Sequence, residues 1–135
     1  MDGRTMKFIR ITETEFGNEE LGRDYEAAKK VGRYAIGKLA VYCPKMFKYV
    51  YIAMNDIIWA YRRQEAVEGK LCCGKANFEI HKVILYTAKK QRFELAGMGM
   101  EQAKQILAIL ERENPSIDIG YSKEKETQYI GKTQA

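Results

Sequence analysis

The order of patterned segments between Tyr34 and Pro115 constrains this chain most. Short β-type runs come first, and one amphipathic helix, Met100 to Asn114, follows and stops at Pro115. On that helix Met100, Ala103, Ile106, Leu107 and Leu110 fall within about 120° of arc, with Glu101, Lys104, Gln105, Glu111 and Arg112 on the other side. A helix with one apolar face needs a sheet or helix to cover it, and the preceding strands are the available surface. The expected fold class is α+β: a mainly antiparallel curved sheet, or a partly open β-barrel, closed by one C-terminal amphipathic helix.

The strands are read from period-two patterning and punctuation. Met6 to Thr12 is a first strand. Asn18 opens a helix that runs to Val31, with Glu19 and Glu20 in its first turn, Lys29 and Lys30 in its last, and Gly32 as its stop. Tyr34 to Cys43 is one strand with a bend at Gly37, ended by Pro44. Tyr49 to Ala53 follows, then a tight turn at Met54-Asn55-Asp56. Ile57 to Arg63 is a strand with Ile57, Trp59 and Tyr61 on one face and Ile58, Ala60 and Arg62 on the other. Gln64 to Lys70 reads as a loop, and Leu71 to Lys75 as a short strand turning at Gly74. Phe78 to Thr87 is a long strand whose alternation breaks at His81-Lys82, which calls for a bulge. A turn at Ala88-Lys89-Lys90 leads into Gln91 to Ala96, with Phe93 and Leu95 inward, and Gly97-Met98-Gly99 breaks that strand. Beyond Pro115, Ile117 to Tyr121 lies against the body, and the polar stretch 122–135 reads as a flexible tail. One domain over residues 1–135 is expected, with a core over 34–115 and an added helix over 18–31.

The chain has 135 residues and a net charge of +5, unevenly placed. Residues 29–92 hold fourteen Lys/Arg against four Asp/Glu, whereas the flanking segments are acidic. Such a segment attracts anions, or else places Lys on solvent faces where it discourages edge pairing. No apolar run approaches the ~18 residues of a membrane span. Met1 to Arg10 has no apolar stretch of the signal-peptide kind. Three cysteines without framework spacing suit a reducing compartment, so a cytoplasmic location is expected.

Several constellations resemble chemistry without completing it. Gly32-x4-Gly37-Lys38 looks like the start of a phosphate loop. However, Leu39 stands where a magnesium-holding hydroxyl belongs, and the order is helix then strand rather than strand then helix. Cys72 and Cys73 are adjacent. Their Cα atoms lie ~3.8 Å apart, below the ~4.4–6.8 Å of a disulfide, and on a strand their side chains point to opposite faces. With one His in the chain, structural zinc has too few ligands, and no metal or other cofactor is expected. His81 serves as a general base only if a thiol lies beside it. The aromatics Tyr34, Tyr42, Tyr49, Tyr51, Trp59, Tyr61 and Tyr86 read first as core. On an outward face beside Arg62, Arg63 and Lys82 they become a stacking platform for nucleic-acid bases.

The segment Tyr51-Ile52-Ala53-Met54-Asn55-Asp56-Ile57-Ile58-Trp59-Ala60-Tyr61, followed by Leu71-Cys72-Cys73-Gly74, Phe78-Glu79-Ile80-His81 and the helix ending at Asn114-Pro115, resembles the pleckstrin-homology-like superfold. It is most similar to small uncharacterised bacterial proteins of that type. The resemblance covers about residues 34–115, and the helix from Asn18 lies outside it. It implies a non-catalytic adaptor that binds peptides, proteins or lipid headgroups. It also points to the first hairpin loop, where Lys45 and Lys48 lie beside Pro44 and Phe47. Three functions are thus expected in order: a protein- or peptide-interaction domain, with another protein or a second copy joined at a strand edge as its partner; an anion-binding module for lipid headgroups or nucleic acid, using the basic 29–92 segment, with Lys45, Lys48, Arg62 and Arg63 as the candidate binding residues; and, last, an enzyme using Cys72 or Cys73 with His81.

Overall fold

The computed structural model describes residues 7–71 and 74–131, and the side chains among these outside 65–79. In chain order the elements are β1 (Phe8–Arg10), α1 (Asn18–Ala27), β2 (Lys29–Val31), β3 (Tyr34–Ile36), β4 (Ala40–Lys45), β5 (Lys48–Ala53), a 3-10 turn (Met54–Asp56), β6 (Ile57–Leu71), β7 (Gly74–Thr87), β8 (Arg92–Met98), α2 (Met100–Glu113), β9 (Asp118–Ile119) and α3 (Lys123–Ile130). The fold is α+β, as expected, but the strands form two sheets and do not close into a barrel. One sheet runs β1-β5-β4-β3-β2 and the other β8-β7-β6-β9. Both are mixed: β1 lies parallel to β5, and β9 parallel to β6.

Alternation sorts the side chains into three layers of packing. Inward residues of both sheets, including Ile36, Val41, Ile52, Ala60, Val83 and Leu85, share one core with Ala103, Ile106, Ile109 and Leu110 of α2. The outer face of the first sheet, Tyr42 and Tyr51 with Ala35 and Ala40, packs against Leu21 of α1. On the outer face of the second, Trp59, Tyr61, Ile84 and Tyr86 pack against Tyr129 and Ile130 of α3. The oily stripe of α2 therefore lies where its spacing placed it, with two changes: Met100 is exposed and Ile109 is buried.

Several sequence expectations are corrected. The first helix ends at Ala27, and Lys29–Val31 is a strand paired with β3. Gly32 does not stop the helix. It sits at φ 61 as the first residue of a two-residue hairpin turn, a position that favours glycine. Tyr34 to Cys43 is not one bent strand, because Gly37 reverses the chain and β4 runs back through Pro44 to Lys45. Gln64 to Lys70 is strand, not loop. The β6 and β7 backbones stay in register from Ile57↔Thr87 to Leu71↔Gly74, with one slip at Ile58. That slip moves Ile57 into the central core, opposite Trp59 and Tyr61. The irregularity beside His81 exists, but its extra residue is on β8. His81↔Met98 and Val83↔Leu95 leave one more residue on β8, where Gly97 has φ 77. Residues 123–130, expected within a flexible tail, are helical behind a Ser122 cap that accepts from the Lys125 N–H. Met6, Cys72 and Cys73 lie outside the described residues.

The Gly37 reversal has a specific cause. The Asp24 carboxylate accepts hydrogen bonds from the Lys38 and Leu39 N–H groups (2.9 and 3.0 Å) and from the Tyr42 hydroxyl (2.8 Å). A Cβ at position 37 would stand 2.1 Å from Asp24 Oδ2. The phosphate-loop-like Gly37-Lys38 thus cradles an anion, and that anion is the chain's own. Gly37→Ala is expected to displace the carboxylate and lower stability by about 2–3 kcal/mol in denaturant titration. Placed in an Asp24→Ala background, the same change should add less than about 1 kcal/mol, because the clashing group is gone. Equal costs in both backgrounds would contradict this cause.

Candidate functional site

Three consecutive cross-strand pairs on the inner face of β4 and β5 change character in order. Val41↔Ile52 is buried in the core, Cys43↔Val50 comes next, and Lys45↔Lys48 ends the ladder at the tip. Strand alternation produces this gradient directly, since residues 41, 43 and 45 share a face, as do 48, 50 and 52. Between this face and the edge strand β8 lies a slot of about 340 Å³. Its walls include Ile11, Cys43, Val50, Ile52, Phe93 and Leu95, and Arg33 and Lys45 also line it. Arg33 lies level with Pro44 by continuation of the β3–β4 register.

Tyr34 ties the two sheets together beside the slot. Its hydroxyl donates to the Ala96 carbonyl (3.0 Å) and accepts from the Ala96 N–H (2.9 Å). Burial raises its pKa above the usual phenol range. Burial likewise pushes the Cys43 thiol up to about 11, although the Lys45 and Arg33 charges pull the other way. A thiol tuned this way is the reverse of a nucleophile, which needs a lowered pKa. Glu94, the acidic group of the slot, accepts hydrogen bonds from Arg92 and Lys82 that hold its carboxyl below the usual range. Among the described residues that line the slot, the uncompensated sign is therefore positive.

Beyond the slot the β4–β5 tip projects into solvent. Phe47 is 95% exposed and Met46 is 88% exposed, flanked by Lys45 and Lys48. Met46 holds φ 35, so the tip depends on a non-glycine residue in the left-handed region. Lys7 adjoins the same end, its carbonyl accepting from the Tyr49 N–H (2.9 Å).

The four candidate cations do not form one site. Lys45 and Lys48 meet at this tip, whereas Arg62 and Arg63 are consecutive on β6 in the other sheet and point to opposite faces. Arg62 Nη1 lies 3.3 Å from Nδ1 of the buried His81, which must accept because a guanidinium only donates. Arg62 and Arg63 nonetheless both line a separate hollow of about 320 Å³, together with Tyr61, Tyr121 and Glu126. Of the aromatics considered for base stacking, Tyr34, Tyr42, Tyr51, Trp59, Tyr61 and Tyr86 are buried. A larger hollow, about 620 Å³, lies between α1 and the Gly37 turn. It mixes Arg23, Lys29, Lys38 and Arg112 with Glu20, Asp24 and Glu113, so it offers no single sign of charge. Among the described residues no three His, Cys, Asp or Glu side chains gather as a metal site, and no helix is long and apolar enough to cross a membrane.

Sequence reasoning missed Arg33, Cys43 and Val50. The signal was present in the parallel patterns Val41-x-Cys43-x-Lys45 and Lys48-x-Val50-x-Ile52. It becomes readable only once Tyr34 to Cys43 is split at Gly37.

Residues 4–129 match the model of a family described as a domain of unknown function, DUF6709. No curated protein and no solved structure matches the chain. The match spans nearly the whole sequence, from before β1 into α3, and the chain belongs to the DUF6709 family.

Proposed function

We propose that this protein is a small non-catalytic module that docks on an anionic membrane surface through the β4–β5 tip. The observation that carries this reading is the pair Met46 and Phe47, held in solvent between Lys45 and Lys48. Moving one such side chain from water into an apolar phase stabilises by about 1.5–3 kcal/mol. Each cation near an anionic leaflet adds about 1 kcal/mol. Apolar residues at a tip with lysines behind them match the depth profile of an interface, where the ammonium groups stay among the headgroups. Lys7 and Arg33 extend the positive charge at the same end of the sheet. A cytoplasmic location belongs to the proposal, since the cytoplasmic leaflet carries the negative surface charge.

The pleckstrin-homology-like likeness is also part of this proposal. The antiparallel order from β2 to β5 and from β6 to β8, followed by α2, supports it. The parallel strands β1 and β9 fall outside that pattern. A protein or peptide partner, or self-association by strand addition, is the second reading, favoured by β8 standing at a sheet edge. Against it, Tyr34 already occupies the outward N–H and carbonyl of Ala96.

Vesicle flotation tests the proposal. Binding is expected to phosphatidylcholine vesicles containing phosphatidylserine, with much weaker binding to phosphatidylcholine alone. Raising the salt from 50 to 500 mM should weaken the anionic case by roughly tenfold or more, as screening removes the lysine contribution. Absent binding, or equal binding to both compositions, would overturn it.

A further inference from the structure

We infer that the slot beside β8 binds the hydrocarbon chain of a single-chain anionic lipid, with Arg33 and Lys45 holding its carboxylate or phosphate. This rests on the membrane reading of the tip, which supplies the lipid, and adds a ligand that a surface-docking role does not require.

Three features select this ligand. The first is wall chemistry. Ile11, Val50, Ile52, Phe93 and Leu95 give an apolar lining, and about 340 Å³ lies within the range of small-molecule sites. The second is polarity along the axis. The ladder from Val41↔Ile52 through Cys43↔Val50 to Lys45↔Lys48 puts apolar surface inside and cations only at the tip end. A guest therefore enters tail first and leaves its head at the rim. The third is sign. The Glu94 carboxylate is already engaged by Lys82 at 3.2 Å and by Arg92, so the groups that meet the guest's head are Arg33 and Lys45. A cationic head would meet only repulsion there, and a neutral head would lose the charge-assisted hydrogen bonds. The slot also adjoins the tip that enters the headgroup layer, so a chain leaving the bilayer reaches it without crossing water.

The test uses dodecanoate below its micellar concentration, with no vesicles present, titrated into the full chain. Saturable one-to-one binding is expected, with dodecyltrimethylammonium and dodecanol each at least tenfold weaker. In a Cys72→Ser/Cys73→Ser background at about pH 9.5, where part of the Cys43 thiol is ionised, saturating dodecanoate should slow its iodoacetamide labelling at least fivefold. Val50→Trp, which fills the slot, should weaken dodecanoate binding at least tenfold. Should that variant fail to fold, the exposed rim change Arg33→Gln carries the same expectation. The two readings separate cleanly. Met46→Ser/Phe47→Ser should lose vesicle binding and keep dodecanoate, whereas Val50→Trp should do the reverse. Non-saturable uptake, equal affinity for the cationic amphiphile, or an unchanged Cys43 labelling rate would each overturn the slot assignment. If those results came with intact vesicle binding, the docking reading would still stand.

Discussion

Met46→Ser/Phe47→Ser is expected to bind anionic vesicles at least 100-fold more weakly than the native chain while unfolding at the same denaturant concentration. Each side chain is almost wholly exposed, so neither contributes to the folded core. Removing exposed residues of this kind changes stability by no more than about 0.5 kcal/mol. In the membrane-bound state the same groups lie in the acyl boundary. At the lower end of side-chain transfer values they supply about 3 kcal/mol together, or roughly 100-fold in partitioning. Lys45→Gln/Lys48→Gln should cost less, about 2 kcal/mol or roughly 30-fold, and should remove most of the salt dependence. The contrast is diagnostic. A purely electrostatic binder would lose more from the lysines, and a peptide-binding edge would be indifferent to both.

The largest effect on stability is expected at Trp59. Its side chain is fully buried, stacks with Tyr86 and Tyr129 at 5.1 and 5.0 Å, and donates from Nε1 to the Gly120 carbonyl at 2.7 Å. The indole therefore joins β6, β7, the β9–α3 connection and α3. Trp59→Ala should cost about 3–5 kcal/mol, lowering Tm by about 10–20 °C. It should also free α3, because most of the remaining ties of that helix are polar and partly exposed, among them Tyr129 to Asp118 at 2.8 Å and Lys125 to Asp118 at 2.8 Å and to the Ile119 carbonyl at 3.0 Å. Limited proteolysis should then cut near residues 122–131 before the rest of the chain. Trp59→Phe keeps most of the ring contact and loses the hydrogen bond, so it should cost about 1–2 kcal/mol. A loss below 1 kcal/mol for Trp59→Ala would remove α3 and the second sheet's outer face from the folded core.

Much of this architecture was legible because period and punctuation agree locally. The α2 stripe, the Tyr49 to Ala53 strand, the Ala88-Lys89-Lys90 turn and the inward Leu95 follow from spacing and punctuation. The errors arise where a distant group overrides local preference. Lys29 to Val31 continues a helical pattern but pairs with β3, since Gly32 at positive φ makes a hairpin there. Gly37 looked like a bend because nothing nearby in sequence explains a reversal, and the group responsible, Asp24, lies on α1. The polar stretch after Ser122 lacks an apolar stripe, yet Tyr129 and Ile130 suffice to seat it on the Trp59 cluster. At the candidate site, Lys45 and Lys48 were legible as flanking cations. The slot was not, since it needs β8 brought beside β4 and β5. Arg62 and Arg63 belong to the same basic segment but to the other sheet, and charge alone carries no information about which sheet a residue joins.

Tryptophan fluorescence at position 47 tests the tip most directly. In Phe47→Trp the new indole sits in water, whereas Trp59 is buried throughout. On vesicles containing phosphatidylserine, its emission should shift to the blue and be quenched by lipids brominated on their acyl chains, with neither change on phosphatidylcholine alone. A water-like, unquenched emission from vesicle-bound protein would contradict insertion of the tip.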